Sequence, residues 1–157
     1  MLDQKIAHDV IHEALSLGAD FCDIFIERCE SETLSFNTSK IKDIRTGTDF
    51  GIGIRLIYGI KALYGYTNST DRDELLRLTR VLSEQYKKNI TGVSPIEFNT
   101  KEIRIIPAIA DMDVSLKHKI GALSTLDSKV RANSELIEQV RINFLQKRQS
   151  VEIFNSD

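Results

Sequence analysis

The chain has 157 residues, 41% of them hydrophobic and 28% charged, the make-up of one globular domain, or one and a half, with material for a core. Its formal net charge of -2 supplies no overall attraction to nucleic acid, and no apolar run approaches the ~20 residues of a membrane helix. The N-terminus, MLDQKIAHDV, lacks the basic-then-apolar order of a secretory signal, so the expected location is the cytoplasm.

Residues 3–17 predict an amphipathic helix, with Ile6, Val10, Ala14 and Leu17 at helical spacing and Ile11 alongside. Gly18 is placed to end it as the C′ residue. From 21 to 67 the period changes to two. "FCDIFIERCE", "ETLSF", "KIKDIRTG", "FGIGIRLIYG" and "IKALYGYT" predict an antiparallel meander of four or five strands, with "NTS" as a turn. Phe50, Ile52, Ile54 and Leu56 form one apolar face. Residues 70–87 return to helix, with Thr70 as the candidate N-cap and Leu75, Leu78 and Leu82 as the stripe. Asp71, Asp73 and Glu74 fill the first turn, where the helix dipole favours anions.

Residues 89–112, with Gly92, Pro95 and Pro107, predict a connector in which "KEIRII" adds a short strand. A third helix is predicted from about 113 to 131. Asp113 or Ser115 caps it, and Leu116, Ile120, Leu123, Leu126 and Val130 mark its buried side. A β-hairpin closes the chain: Val140, Ile142 and Phe144 alternate, "QKRQ" turns and "SVEIF" returns. Helices and sheet segregate along the chain, so the class is α+β.

Candidate chemistry is sparse. "HEALSL" opens like the zinc motif H-E-x-x-H, but the next histidine is missing. His8 and His12 stand at i, i+4, a spacing that can hold zinc. They face away from the apolar stripe, and nothing in the sequence places His118 beside them as a third ligand. Cys22 and Cys29 lie an odd number apart on one strand, hence on opposite faces. They read as one buried and one partly exposed free thiol. "GIGIR" is not a dinucleotide fingerprint, because a strand and not a helix follows it. Gly51 and Gly53 instead leave one strand face bare, which invites a neighbour to pack close. Arg55 projects from that face, and Tyr64 and Tyr66 stand on the adjacent strand. These five residues are the candidate packing or substrate-groove face.

Four stretches then occur in a characteristic order. They are Gly18-Ala19-Asp20 closing the first helix, Asp23-Ile24-Phe25, the strand Gly51 to Arg55, and Gly65 to Asn68. Together with "VSLKHKIGALSTLDSKVRA" and the closing "IFNSD", they resemble the N-terminal region of the TldD/PmbA family. That family comprises zinc metallopeptidases also called modulators of DNA gyrase. Each motif alone is weak; order and spacing carry the likeness, which covers nearly the whole chain. The Gly51–Arg55 strand leans toward the TldD branch.

The resemblance implies that 1–157 is an N-terminal domain, with 1–88 as helix, meander and helix, 89–112 as connector, and 113–157 as helix and hairpin. The catalytic C-terminal domain would be absent. In the TldD branch the zinc motif, H-E-x-x-x-H, lies in that C-terminal domain. "HEALSL" has Leu17 where the second histidine belongs, so no catalytic or metal residue is carried over. The implied parent is a zinc-dependent peptide hydrolase, and this chain, without a cofactor of its own, would shape the substrate chamber and dimer contacts. Implied partners are its own C-terminal domain, a second TldD/PmbA-like subunit in a homo- or heterodimer, and a peptide substrate, with no nucleic acid and no membrane. The alternative is a non-catalytic binding or assembly module, or a truncated remnant, as in the PmbA branch, which lacks the zinc motif and partners the active subunit. The ending "EIFNSD", a strand followed by turn residues, reads as a domain cut from a longer protein or a truncated gene product.

Overall fold

The computed structural model describes residues 2–86 and 114–157. In chain order these form α1 (Gln4–Ser16), β1 (Phe21–Asn37), β2 (Lys40–Tyr58), β3 (Lys61–Thr67), α2 (Arg72–Glu84), α3 (Leu116–Arg131) and β4 (Arg141–Asn155). The class is α+β, with one four-stranded antiparallel sheet in the order β3-β2-β1-β4. The predicted connector and "KEIRII" strand lie outside the described residues. No helix among those described is long and apolar enough to cross a membrane.

The strands are fewer and longer than the sequence predicts. β1 joins "FCDIFIERCE" to "ETLSF", and β2 runs through Gly47. A chain reverses tightly where φ turns positive, and among the described residues that happens only at Gly18, Thr38, Ser39 and Gly59. The same reason corrects the C-terminal hairpin. "QKRQ" has no positive φ, so β4 stays one strand of 15 residues. Its contacts with β1 run through that stretch: Arg148 lies 3.9 Å from Glu30, and Gln149 donates to Glu27 at 2.6 Å.

The chain divides into two compact units. Unit 1 is Met1–Cys29, Asp49–Thr100 and Gln149–Asp157; unit 2 is Glu30–Thr48 and Lys101–Arg148. In unit 1, Val10, Ile11 and Ala14 of α1 and Leu75, Leu76 and Leu82 of α2 join one apolar core with Cys22, Ile24, Ile26, Ile52, Ile54 and Leu56 of the sheet. Burying each large aliphatic side chain contributes roughly 1.5–3 kcal/mol. Ion pairs tie the helices together: Arg72 to Asp9 at 2.7 Å and Arg80 to Glu13 at 2.6 Å. The hydrogen bond from Arg72 holds the Asp9 carboxyl below its ordinary value, so this contribution is present at neutral pH and fades as acid protonates Asp9.

The helix ends follow local chemistry. Gly18 has φ +89°, its N–H donates to Leu15 O, and the N–H of Ala19 donates to Ala14 O, which is the Schellman closure. The chain then turns so that Asp20 accepts from the N–H of Gly59 at the β2–β3 turn. At α2 the N-cap is Asp71 and not Thr70. Its carboxylate accepts from the N–H of Glu74 at 3.0 Å, while Ser69 accepts from the N–H of Asp71. A carboxylate is the stronger acceptor beside the positive helix end.

Unit 2 departs further from expectation. Ser115 caps α3, but the buried stripe is Lys119, Leu123 and Asp127. Leu116 and Leu126 are exposed. The helix sets Leu123 on Leu34 and Phe36, with Ile41, Ile120, Ile142 and Phe144 at the margin. The charged ends of the stripe are paired: Lys119 with Glu32, and Asp127 with Ser39 and Arg131. Both cysteines are buried and free, so Cys29 is not partly exposed. It sits on β1, a central strand whose neighbours on both sides cover a small side chain. Burial pushes the Cys22 thiol up to about 12, so it is protonated and inert at neutral pH.

The β1–β2 turn stores strain. Thr38 and Ser39 have φ of 51° and 58°, where glycine or asparagine is normal and a β-branched residue is costly. Ser39 is held there by its hydroxyl, which donates to the buried Asp127 carboxylate at 2.7 Å. Among the described residues the Thr38 side chain hydrogen-bonds only to its neighbour Asn37. Thr38→Asn is therefore expected to stabilise unit 2 by about 1 kcal/mol, read as a higher urea midpoint. Ser39→Gly should give no comparable gain, because it removes the Asp127 contact.

Candidate functional site

Among the described residues, the helices cover one face of the unit 1 sheet and leave the other open. Alternation puts Asp23 and Phe25 of β1, Gly51, Gly53 and Arg55 of β2, and Tyr64 and Tyr66 of β3 on the open face. The register sets Arg55 opposite Tyr64 and Gly53 opposite Tyr66. All five sequence-selected residues therefore share one surface.

Their roles differ. Tyr64 leans across Gly53 so closely that a Cβ built there would lie 2.8 Å from its ring. The nearest atom to a Cβ at Gly51 is the Thr67 carbonyl oxygen at 4.0 Å, ordinary contact. Of these two glycines only Gly53 is covered, by the end of the exposed Tyr64 side chain. Arg55 forks onto Asp23, with Nε 3.0 Å from Oδ1 and Nη2 on Oδ2. That hydrogen-bonded pairing raises the Arg55 pKa further and orders an exposed guanidinium. Tyr66 is 81% exposed, and Phe25, Val151 and Ile153 are also exposed. The result is an aromatic and aliphatic surface with one fixed ion pair.

Unit 2 holds a second feature, which sequence reading missed. A cavity of about 480 Å³ opens at the N-terminal end of α3, between that helix and strands β1, β2 and β4. Lys119 and Glu32 stand in its wall, with Lys119 Nζ 2.9 and 3.0 Å from the two carboxylate oxygens and 5.7 Å from the centre of the Phe144 ring. The signal was present in the sequence. Lys119, Leu123 and Asp127 recur every four residues, but a stripe with charged ends does not register as a buried face.

Zinc, implied by the resemblance, finds no fit among the described residues. The His8 and His12 rings stack 6.3 Å apart on α1. Among the described residues no three histidine, cysteine, aspartate or glutamate side chains converge as metal ligands.

The sequence profile of PmbA/TldA metallopeptidase domain 1 matches residues 22–84, the stretch from the start of β1 to the end of α2. Comparison with curated proteins gives no significant match. Three solved structures share the fold at low identity. A protein described as a putative modulator of DNA gyrase from Bacteroides thetaiotaomicron is 13% identical, with a TM-score of 0.72 over 98% of this chain and 36% of its own. A protein described likewise from Thermotoga maritima is 14% identical, with a TM-score of 0.70 over 98% and 35%. TldE from Thermococcus kodakarensis is 13% identical, with a TM-score of 0.62 over 94% and 34%. The chain thus spans about a third of the length of these structures. Residues 22–84, which include the motifs at Gly51–Arg55 and Gly65–Asn68, are thus similar to the first domain of PmbA/TldA metallopeptidases, and the fold is that of the three structures.

Proposed function

We propose that this chain supplies the non-catalytic first domain of a PmbA/TldD-type zinc metallopeptidase acting on peptides. The observation that carries the reading is the open face of unit 1. It exposes Tyr66, Phe25, Val151 and Ile153 around the Arg55–Asp23 pair. Contiguous exposed apolar surface of this kind suits a partner. Packing there by the catalytic domain or by a second subunit would let the domain wall a substrate chamber and contribute to a dimer. Zinc and the hydrolytic chemistry would then reside in the catalytic domain of the parent. The Gly51–Arg55 strand favours the TldD branch. The rival is a PmbA-type assembly module.

The test is affinity capture of the native protein from its source cells, with intact mass and zinc content measured together. The expected result is stoichiometric zinc in an assembly much heavier than 17.8 kDa. A heavy assembly free of zinc would select the PmbA-type reading. A 17.8 kDa species with neither zinc nor a family subunit would overturn both. Tyr66→Asp should release a separate subunit from that assembly, or, where the catalytic domain shares the chain, lower its activity without unfolding unit 1.

A further inference from the structure

We infer that the cavity in unit 2 binds a small zwitterion of the amino-acid or dipeptide class. Its volume of about 480 Å³ falls among small-molecule sites, roughly 300–1,000 Å³. Every lining residue belongs to unit 2, whereas the face bearing Tyr64 and Tyr66 belongs to unit 1. The inference therefore goes beyond the packing role proposed above and does not depend on it.

The charges select the ligand. Glu30 and Glu32 of β1 face the cavity together with Arg148 of β4 and Lys119 of α3. They are interleaved as pairs: Lys119 binds both oxygens of Glu32, and Arg148 lies 3.9 Å from Glu30. A phosphate would lie against two carboxylates. A bare metal cation would lie against an ammonium and a guanidinium. An apolar ligand would strip water from all four groups and return nothing. A ligand with one charge of each sign meets both pairs, ammonium toward the carboxylates and carboxylate toward the cations. Thr46 and Thr48 of β2 add hydroxyls that donate or accept as a peptide group requires.

The wall is also built to hold its charges still. The Lys119 side chain is 7% exposed, and its Nζ is fixed by Glu32 on one side and the Phe144 ring on the other. Burying an ion pair costs desolvation that a pair of apolar side chains would avoid. A fixed, half-desolvated pair on a cavity wall is instead what recognition of an oppositely charged pair requires.

The test is a titration of the full, ¹⁵N-labelled chain with L-alanyl-L-alanine, followed through amide shifts. The N-acetylated, C-amidated dipeptide and inorganic phosphate are titrated in parallel. The expected result is saturable shifts at Gly47, Thr48 and Lys119 with the free dipeptide, and none with the capped dipeptide or phosphate. Glu32→Gln combined with Lys119→Met should weaken binding at least about tenfold. Arg148→Gln, at a half-exposed position that tolerates change, should weaken it in the same direction if the double variant does not fold. No saturable shift at millimolar dipeptide would overturn the inference. So would equal affinity for the capped dipeptide, saturable binding of phosphate alone, or undiminished affinity in a folded Arg148→Gln protein.

Discussion

Phe36→Ala is expected to unfold unit 2 while unit 1 stays folded. Phe36 is 1% exposed and is the largest buried side chain in a core whose buried apolar members, among the described residues, are Leu34, Phe36 and Leu123. Unit 1 has sixteen such residues. Truncating a buried phenylalanine costs about 3–5 kcal/mol, the removed contacts plus the cavity they leave. That loss is at least about half of what three buried side chains contribute at about 1.5–3 kcal/mol each, before chain entropy is subtracted. Hydrogen exchange is the measurement. Amide protection should collapse in residues 33–41 and 116–131 and persist in α1, α2 and residues 52–58. Phe36→Leu, which keeps most of the volume, should cost much less and leave the pattern intact. Simultaneous loss of protection in both units would show that their stabilities are coupled, against this expectation.

The contrast between the units also explains what was legible in the sequence. Unit 1 announces itself because its signals are local. Gly18 ends α1 through its own positive φ, Asp71 lies one residue from the predicted cap of α2, and Phe50 to Leu56 alternate on a strand with one dry face. The open-face residues were legible for the same reason, since alternation places Gly51, Gly53 and Arg55 together without any knowledge of the fold. What alternation cannot supply is the neighbour. That Gly53 is roofed by Tyr64 while Gly51 is not depends on β3 pairing and on one rotamer.

Unit 2 hides its organisation in polar residues. Its turn uses Thr38 and Ser39 where glycine would have been the signal, so the turn is visible only from the small polar run. Its helix buries Lys119 and Asp127 and exposes Leu116 and Leu126, which inverts the rule that apolar means inside. Its last strand continues through four polar residues, with Arg148 and Gln149 meeting Glu30 and Glu27 of β1. Sequence periodicity assumes that burial follows hydrophobicity, and it fails where long-range pairing makes burial of charge tolerable. The cavity is lined at those same positions, which is why no motif pointed to it.

Lys119→Ala is expected to destabilise unit 2 by about 2–3 kcal/mol, whereas Lys119→Met combined with Glu32→Gln should stay within about 1 kcal/mol of the parent. The single change removes one partner of a buried pair and leaves the Glu32 carboxylate facing a gap. A fully buried orphan charge would cost more, but Glu32 is 26% exposed and can regain some water. Alanine also strips the methylene stem that lies over Phe144, so packing is lost along with charge. The double change keeps the stem volume as methionine and neutralises the carboxylate, so neither a cavity nor an orphan charge remains. Urea unfolding of the four members of the cycle separates these effects. A large favourable coupling between Glu32 and Lys119, with a stable double variant, means that the pair contributes no more stability than neutral residues of its size would. The ionic pair is then retained for what it presents to the cavity. A double variant as damaged as Lys119→Ala would mean instead that the charges hold α3 on the sheet, and the cavity would be a by-product of that attachment.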